Sequence, residues 1–143
     1  MQTIHGYYLE DLEVGMSDSF AKTITEADVC LFAGISGDTN PIHINADYAA
    51  TTQFGQRIVH GMFSAALIST VAGTKLPGPG AIYVDQQVKF RAPVFIGDTA
   101  TASVTVTEID ARRRRVKCRT DVHVGEKLVA TGEATFMVDK REG

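Results

Sequence analysis

His60-Gly61-Met62-Phe63-Ser64-Ala65-Ala66-Leu67-Ile68-Ser69-Thr70-Val71-Ala72-Gly73-Thr74 is the stretch on which the fold turns. Its interior carries no charge, and Ser64, Ser69 and Thr70 are the only polar side chains within it. A helix that is apolar all round is a buried helix. Fifteen residues exceed a typical strand and fall short of a membrane span. Leu76-Pro77-Gly78-Pro79-Gly80 follows and stops any regular element. The stretch predicts a central helix over residues 60–74.

What surrounds it is written downstream, where the hydrophobic period falls to two. Ile82, Val84, Gln86, Val88 and Phe90 alternate with polar neighbours and Tyr83. Ala100, Ala102, Val104 and Val106 alternate with Thr and Ser. Val116, Cys118, Thr120, Val122 and Val124 alternate with a set that includes Arg113, Arg115, Lys117 and Arg119. Leu128, Ala130, Gly132, Ala134, Phe136 and Val138 form the last apolar face. Pro93 with Gly97-Asp98 makes one turn, and Gly125-Glu126 makes a hairpin. Strands with one apolar and one mostly polar face, joined in sequence by short connections, predict an antiparallel meander. Small inward residues such as Ala100, Ala102, Ala130 and Gly132 let such a sheet curve tightly. A curved antiparallel sheet wrapped round one long central helix is the α+β hot-dog fold. It is expected to take up the whole chain, 1–143, as a single domain.

Upstream, Met16 to Ile24 reads as a first strand. Thr25 can cap a helix, with Glu26 and Asp28 in a first turn that favours acids, and Asp28 stands in for the Glu of a capping box. Ala27, Cys30, Leu31 and Gly34 give that helix an apolar side, and it stops at Gly37. Asn45 caps a second, short helix, and Thr51 to Arg57 reads as polar loop.

The totals exclude several classes. At 143 residues, with 44% hydrophobic and 22% charged, the chain can bury a sizeable core. A net charge of −3 argues against nucleic acid as a partner. No apolar run spans a membrane, and Met1-Gln2-Thr3-Ile4-His5 lacks the form of a signal peptide. Lys140-Arg141-Glu142-Gly143 matches no address signal. Cys30 and Cys118 read as reduced, buried thiols of a cytoplasmic protein. Four scattered histidines without a paired spacing predict no metal site.

Between the first two helices lies Ser36-Gly37-Asp38-Thr39-Asn40-Pro41-Ile42-His43. Gly37 permits a sharp turn, and Pro41 fixes its own φ and pushes Asn40 out of the helical region. A rigid loop over Asp38–His43 would hold two proton-transfer groups at a fixed separation. The same residues are also ordinary turn formers, so the segment alone leaves both readings open.

Gly34-Ile35-Ser36-Gly37-Asp38-Thr39-Asn40-Pro41-Ile42-His43 with Tyr48-Ala49-Ala50 resembles the signature of the MaoC-like (R)-specific enoyl-CoA hydratases. Ile58-Val59-His60-Gly61-Met62 resembles that family's lead into the central helix, and Phe90 to Asp98 its strand-to-strand turn. These segments occur in the family's order. The resemblance implies reversible addition of water to a trans-2-enoyl-CoA, without cofactor, to give an (R)-3-hydroxyacyl-CoA. It implies Asp38 and His43 as the catalytic pair, acting as a coupled unit. Gly61, at a helix start whose N–H groups lack partners, is the expected backbone donor to the thioester oxygen. Ser69, two helical turns on, matches a family position near the active site; bonding to its own helix backbone is the alternative. Asn40 supports the loop and is a substrate-side candidate with Ala65, Ala72 and Arg91. His60 caps or orients the helix start. The row Arg113, Arg115, Lys117, Arg119 is first a solvated strand face, and second a candidate for coenzyme A phosphates.

The resemblance further implies a homodimer that binds acyl-CoA and serves polyester supply or fatty-acid breakdown. Two other classes compete. Thioesterases and carrier-protein 3-hydroxyacyl dehydratases of the same fold place an acid on the central helix, whereas residues 62–74 contain no Asp or Glu. A non-catalytic acyl-binding module would have no need of both Asp38 and His43.

Overall fold

The computed structural model describes residues 4–141, so the readings of Met1–Thr3 and Glu142–Gly143 lie outside the described residues. Strand β1 runs Ser17–Thr23, one residue inside the expected strand at each end, and Ile24 behind it is fully buried. Helix α1 spans Glu26–Ser36. Thr25 Oγ1 accepts from Asp28 N at 3.2 Å and the Asp28 carboxylate accepts from Thr25 N at 2.9 Å, so the capping box forms with Asp in place of Glu.

The buried face of α1 is not the expected one. Val29 and Ala33 are buried, Phe32 is half-buried, and Leu31 is 65% exposed. Cys30 is exposed, against the expectation of a buried thiol, while Cys118 is buried. Val29, Phe32 and Ala33 make an i, i+3, i+4 stripe as regular as the one read from sequence. The core chose between two stripes of similar apolarity.

Helices α2 (Pro41–Ile44) and α3 (Ala46–Ala50) follow, and Asn45 Oδ1 caps α3 by accepting from Tyr48 N at 3.0 Å. Helix α4 spans Gly61–Thr74 and lies on the sheet against β1 and two central strands, β3 (Thr99–Asp110) and β4 (Arg115–Val124). It buries Ser64, Leu67, Ile68, Val71 and Ala72 there. Its other side, with Met62, Ala66, Ser69 and Gly73, is open in the single chain, so the chain itself covers one face of a helix that is apolar all round.

Strands β2 (Ile82–Phe90) and β5 (Lys127–Met137) complete one antiparallel sheet in the order β1-β3-β4-β5-β2, the hot-dog arrangement. The simple meander is therefore corrected. Only β3, β4 and β5 follow one another; β2 pairs with β5 at the far edge, and Arg91–Asp98 crosses back to β3. Ala100, Ala102, Val104, Val116, Cys118 and Val122 are sealed against the core, as the period of two requires. The expected apolar face of β2 is not: Ile82 is 56%, Val84 48% and Phe90 53% exposed. Arg113 and Arg114 sit in the β3–β4 turn, with Arg114 at φ 55°, so the basic row begins at Arg115 rather than Arg113. Gly132 is required by close approach, because a Cβ there would overlap the carbonyl of Gln87 on β2.

Candidate active site

The site is assembled by local hydrogen bonding between α1 and α2. Gly37 ends α1 in the left-handed conformation at φ 79°. Ser36 Oγ donates to Phe32 O at 2.6 Å and accepts from Asp38 N at 3.1 Å. Asp38 Oδ1 accepts from Asn40 N at 3.2 Å, and Asn40 Oδ1 accepts from Ile42 N at 3.1 Å. That last bond caps α2, with Pro41 at its first position. The expected Asp38–His43 loop is thus a loop only as far as Asn40. Pro41 starts a helical turn, because its missing N–H is a group no helix start can pair.

This turn carries His43 inward, where it is 8% exposed. Its Nδ1 lies 2.7 Å from Ile58 O. A carbonyl only accepts, so Nδ1 bears a proton, and the tautomer this selects for the neutral ring has its lone pair on Nε2. Nε2 stands 4.0 Å from Asp38 Oδ2. Arg57, on the segment read only as polar loop, fixes the other end of His43. Its Nε donates to His43 O at 2.6 Å, and its Nη1 pairs with Glu26 of α1 at 2.6 Å. That hydrogen bond from Arg57 holds the Glu26 carboxyl below its ordinary range.

His60, the last residue before α4, makes no side-chain capping bond, which corrects the capping half of its reading. Its ring stacks on His43 at 3.8 Å and 25°, and its Nε2 donates to Asp38 O at 2.9 Å. Asp38, His43 and His60 each offer a ligand-type atom within 4.8 Å of the others, so the histidines that looked scattered are partly gathered.

A cleft of about 520 Å³ opens here, lined among others by Asp38, His60, Gly61, Ser64, Phe90 and Arg91. Gly61 begins α4, whose first turn leaves backbone N–H groups without the usual partner four residues back, although Phe63 N donates to His60 O at 3.0 Å. A Cβ on Gly61 would meet the Phe90 ring at 3.0 to 3.2 Å, so only a glycine leaves that space open. Ser64, one turn on from Gly61, also lines the cleft; the 3.6-residue period could have pointed to it as readily as to Ser69. Ser69 and Asn40 are exposed, Ala65 is half-buried and Ala72 buried, and none of these lines the cleft. Lys117 lies 3.9 Å from Glu108 and Arg119 2.9 Å from Asp121, so these two strand cations have acidic partners, while Arg115 donates to Arg113 O at 3.0 Å.

With a neutral imidazole, Asp38 Oδ2 and His43 Nε2 are two acceptors 4.0 Å apart, a separation that one water can span by donating about 2.8 Å to each, at a donor angle near 90°. The arrangement can therefore hold and deprotonate a water beside the N-terminus of a helix. A hot-dog fold with a carboxylate–imidazole pair beside the start of its central helix defines the class. The chain belongs to the MaoC-like domain family, whose sequence model matches residues 13–128. It is 58% identical over 135 residues to an (R)-specific enoyl-CoA hydratase of Rhodospirillum rubrum, covering 94% of each chain. An unliganded R-hydratase of Pseudomonas aeruginosa superimposes with a TM-score of 0.90 at 43% identity, over 96% of this chain and 89% of that one. The (R)-hydratase of Aeromonas caviae involved in PHA biosynthesis superimposes with a TM-score of 0.87 at 41% identity, over 90% of this chain and 98% of that one.

Proposed function

We infer that this chain is an (R)-specific enoyl-CoA hydratase, a hydro-lyase that adds water reversibly to trans-2-enoyl-CoA. The observation that carries the reading is the 4.0 Å spacing of Asp38 Oδ2 and His43 Nε2, with Asp38 and Gly61 both lining the cleft and His43 stacked on His60, which lines it too. In the reaction, a water held by both groups loses a proton to the pair as its oxygen bonds to C3. The π electrons move to C2 and onto the thioester oxygen. The N–H of Gly61 receives that enolate oxygen, a contribution of roughly 3–4 kcal/mol for a well-placed donor. The pair then returns a proton to C2, and the hydroxyacyl product leaves. The chemistry calls for no cofactor.

The reading takes residues 1–143 as one cytoplasmic hot-dog unit. It places Arg91, at the cleft, toward the coenzyme A phosphates, and Asn40 behind the loop as its brace. It also includes a homodimer. The exposed apolar side chains of β2, with Met62 of α4, suit coverage by a second copy, and Ser69 and Ala65 would then face an acyl tunnel near that interface, whereas Ala72 is packed against the sheet. Polyester supply is the favoured role because the relative from Aeromonas is described so.

The test is hydration of a series of enoyl-CoA lengths, beginning with crotonyl-CoA, with chiral analysis of the product. Loss of the enoyl absorbance with (R) product supports the reading. An (S) product, or thioester hydrolysis in place of hydration, refutes it. Sedimentation as a monomer at micromolar concentration would refute the dimer.

A further inference from the structure

His60 has no part in the reaction as written, yet it is 2% exposed and carries the one buried side-chain nitrogen among the described residues without a hydrogen-bond partner, Nδ1. Leaving a buried polar atom unpaired is unfavourable, and such an atom needs a reason. The ring is held between Phe32, at 4.9 Å and tilted 52°, and His43, stacked at 3.8 Å. Nε2 is committed to the backbone carbonyl of Asp38. A phenylalanine would supply the flat ring without the donor. A glutamine would supply a donor near Nε2 without the ring. Of the three, only the imidazole gives both, and the unpaired Nδ1 is the consequence.

We propose that His60 is the positioning residue of this site: it fixes Asp38 and His43 relative to each other and to the start of α4. One bond holds the main chain of Asp38, one stacked face sets the plane of His43, and the next residue in the chain is Gly61. Three groups that come from a loop, a short helix and the central helix are thereby referred to one rigid ring. His60 does not touch the reacting atoms. Its effect is on the geometry at which the water, the pair and the oxyanion donor meet, and small displacements of such groups are amplified in rate.

The proposal rests on the hydratase reading, and its test separates the two. In the wild-type protein, long-range nitrogen–proton NMR of the histidine rings reads the tautomers without any turnover. His60 is expected to carry its proton on Nε2 and His43 on Nδ1. A His60 protonated on Nδ1 alone cannot donate to Asp38 and overturns the proposal, whatever the enzyme's activity. With crotonyl-CoA, His60→Phe is expected to lower kcat by roughly 30- to 100-fold with KM within about twofold. His60→Gln, which restores the donor, is expected to recover at least about tenfold of that loss. A His60→Phe variant with undiminished kcat, a His60→Gln variant no better than it, or a loss carried by KM would each overturn the proposal. If His60→Phe does not fold, the tautomer and the rate of His60→Gln decide, which must then stay within about tenfold of wild type. A wild-type protein without hydration activity would refute the hydratase reading and leave the tautomer result to judge the His60 contact.

Discussion

Asp38→Asn isolates the acid–base pair from the loop that carries it. Asp38 Oδ1 accepts from Asn40 N at 3.2 Å, a bond an asparagine oxygen can keep. The backbone bonds, from Asp38 N to Ser36 Oγ and from His60 Nε2 to Asp38 O, do not involve the side chain. The loop should therefore survive, with stability changed by less than about 0.5 kcal/mol. What changes is the atom 4.0 Å from His43 Nε2. An amide NH₂ there donates, so the water between the two groups faces one acceptor instead of two. General acid–base groups contribute roughly 10²–10⁴ in rate. The Asp38 side chain is 53% exposed, so a second water can stand in for part of the loss, and the lower half of that range applies. The expected fall in kcat is about 10²–10³, or roughly 3–4 kcal/mol of barrier, at nearly constant KM. Steady-state hydration of crotonyl-CoA, with a thermal melt in parallel, measures both. A variant that keeps more than about a third of kcat, or one whose loss follows its melting temperature, would refute the assignment of the carboxylate to water activation.

The thiols should separate cleanly: one per chain, Cys30, reacts with Ellman's reagent in the native protein and both react after unfolding, because burial pushes the Cys118 thiol up to about 12. Equal native rates would put Cys118 outside the sheet core. Asp28→Ala removes half of the α1 capping box and should cost about 1 kcal/mol, seen as a drop of roughly 3 °C in a thermal melt. The Thr25 N–H holds the Asp28 carboxyl below its ordinary range. That contribution is present above the unfolded-state value and is lost as pH falls through the folded one, so the gap between wild type and variant should begin to close only as pH falls below about 4. Gly132→Ala should destabilise by about 3 kcal/mol or more in urea, since the new Cβ overlaps the Gln87 carbonyl and β2 must part from β5. An alanine variant of wild-type stability would show the strand pair to be looser than drawn.

Much of this was legible in the sequence. The capping box at Thr25, the cap at Asn45, the central helix and the inward faces of β3 and β4 are each set by residues close together in the chain. Short-range chemistry decides them, so short-range reading finds them. Strand order was not legible, because β2 and β3 alternate in the same way whether or not they pair. Only the path of Arg91–Asp98 across the sheet end decides that β2 joins β5. The site divides along the same line. Asp38 and His43 were readable from one segment, but the tautomer of His43 depends on Ile58, its carbonyl on Arg57, and its ring plane on His60. None of these partners has a fixed spacing from His43 that any motif would require.

The open apolar surfaces follow a related logic. The period of two on β2 and the all-round apolarity of α4 both read as burial, yet Ile82, Val84, Phe90 and Met62 stand exposed in the single chain. Periodicity reports that a residue is apolar on a given face; it cannot report which chain covers that face. Both surfaces meet where the Phe90 ring lies over Gly61, and Phe90 and Met62 are also walls of the cleft. Under the dimer reading the second copy would cover the apolar rim of the same cleft that Asp38 and Gly61 line. Subunit pairing and substrate enclosure would then be one event. Dilution into monomer should therefore raise KM for long enoyl chains before it unfolds the protein.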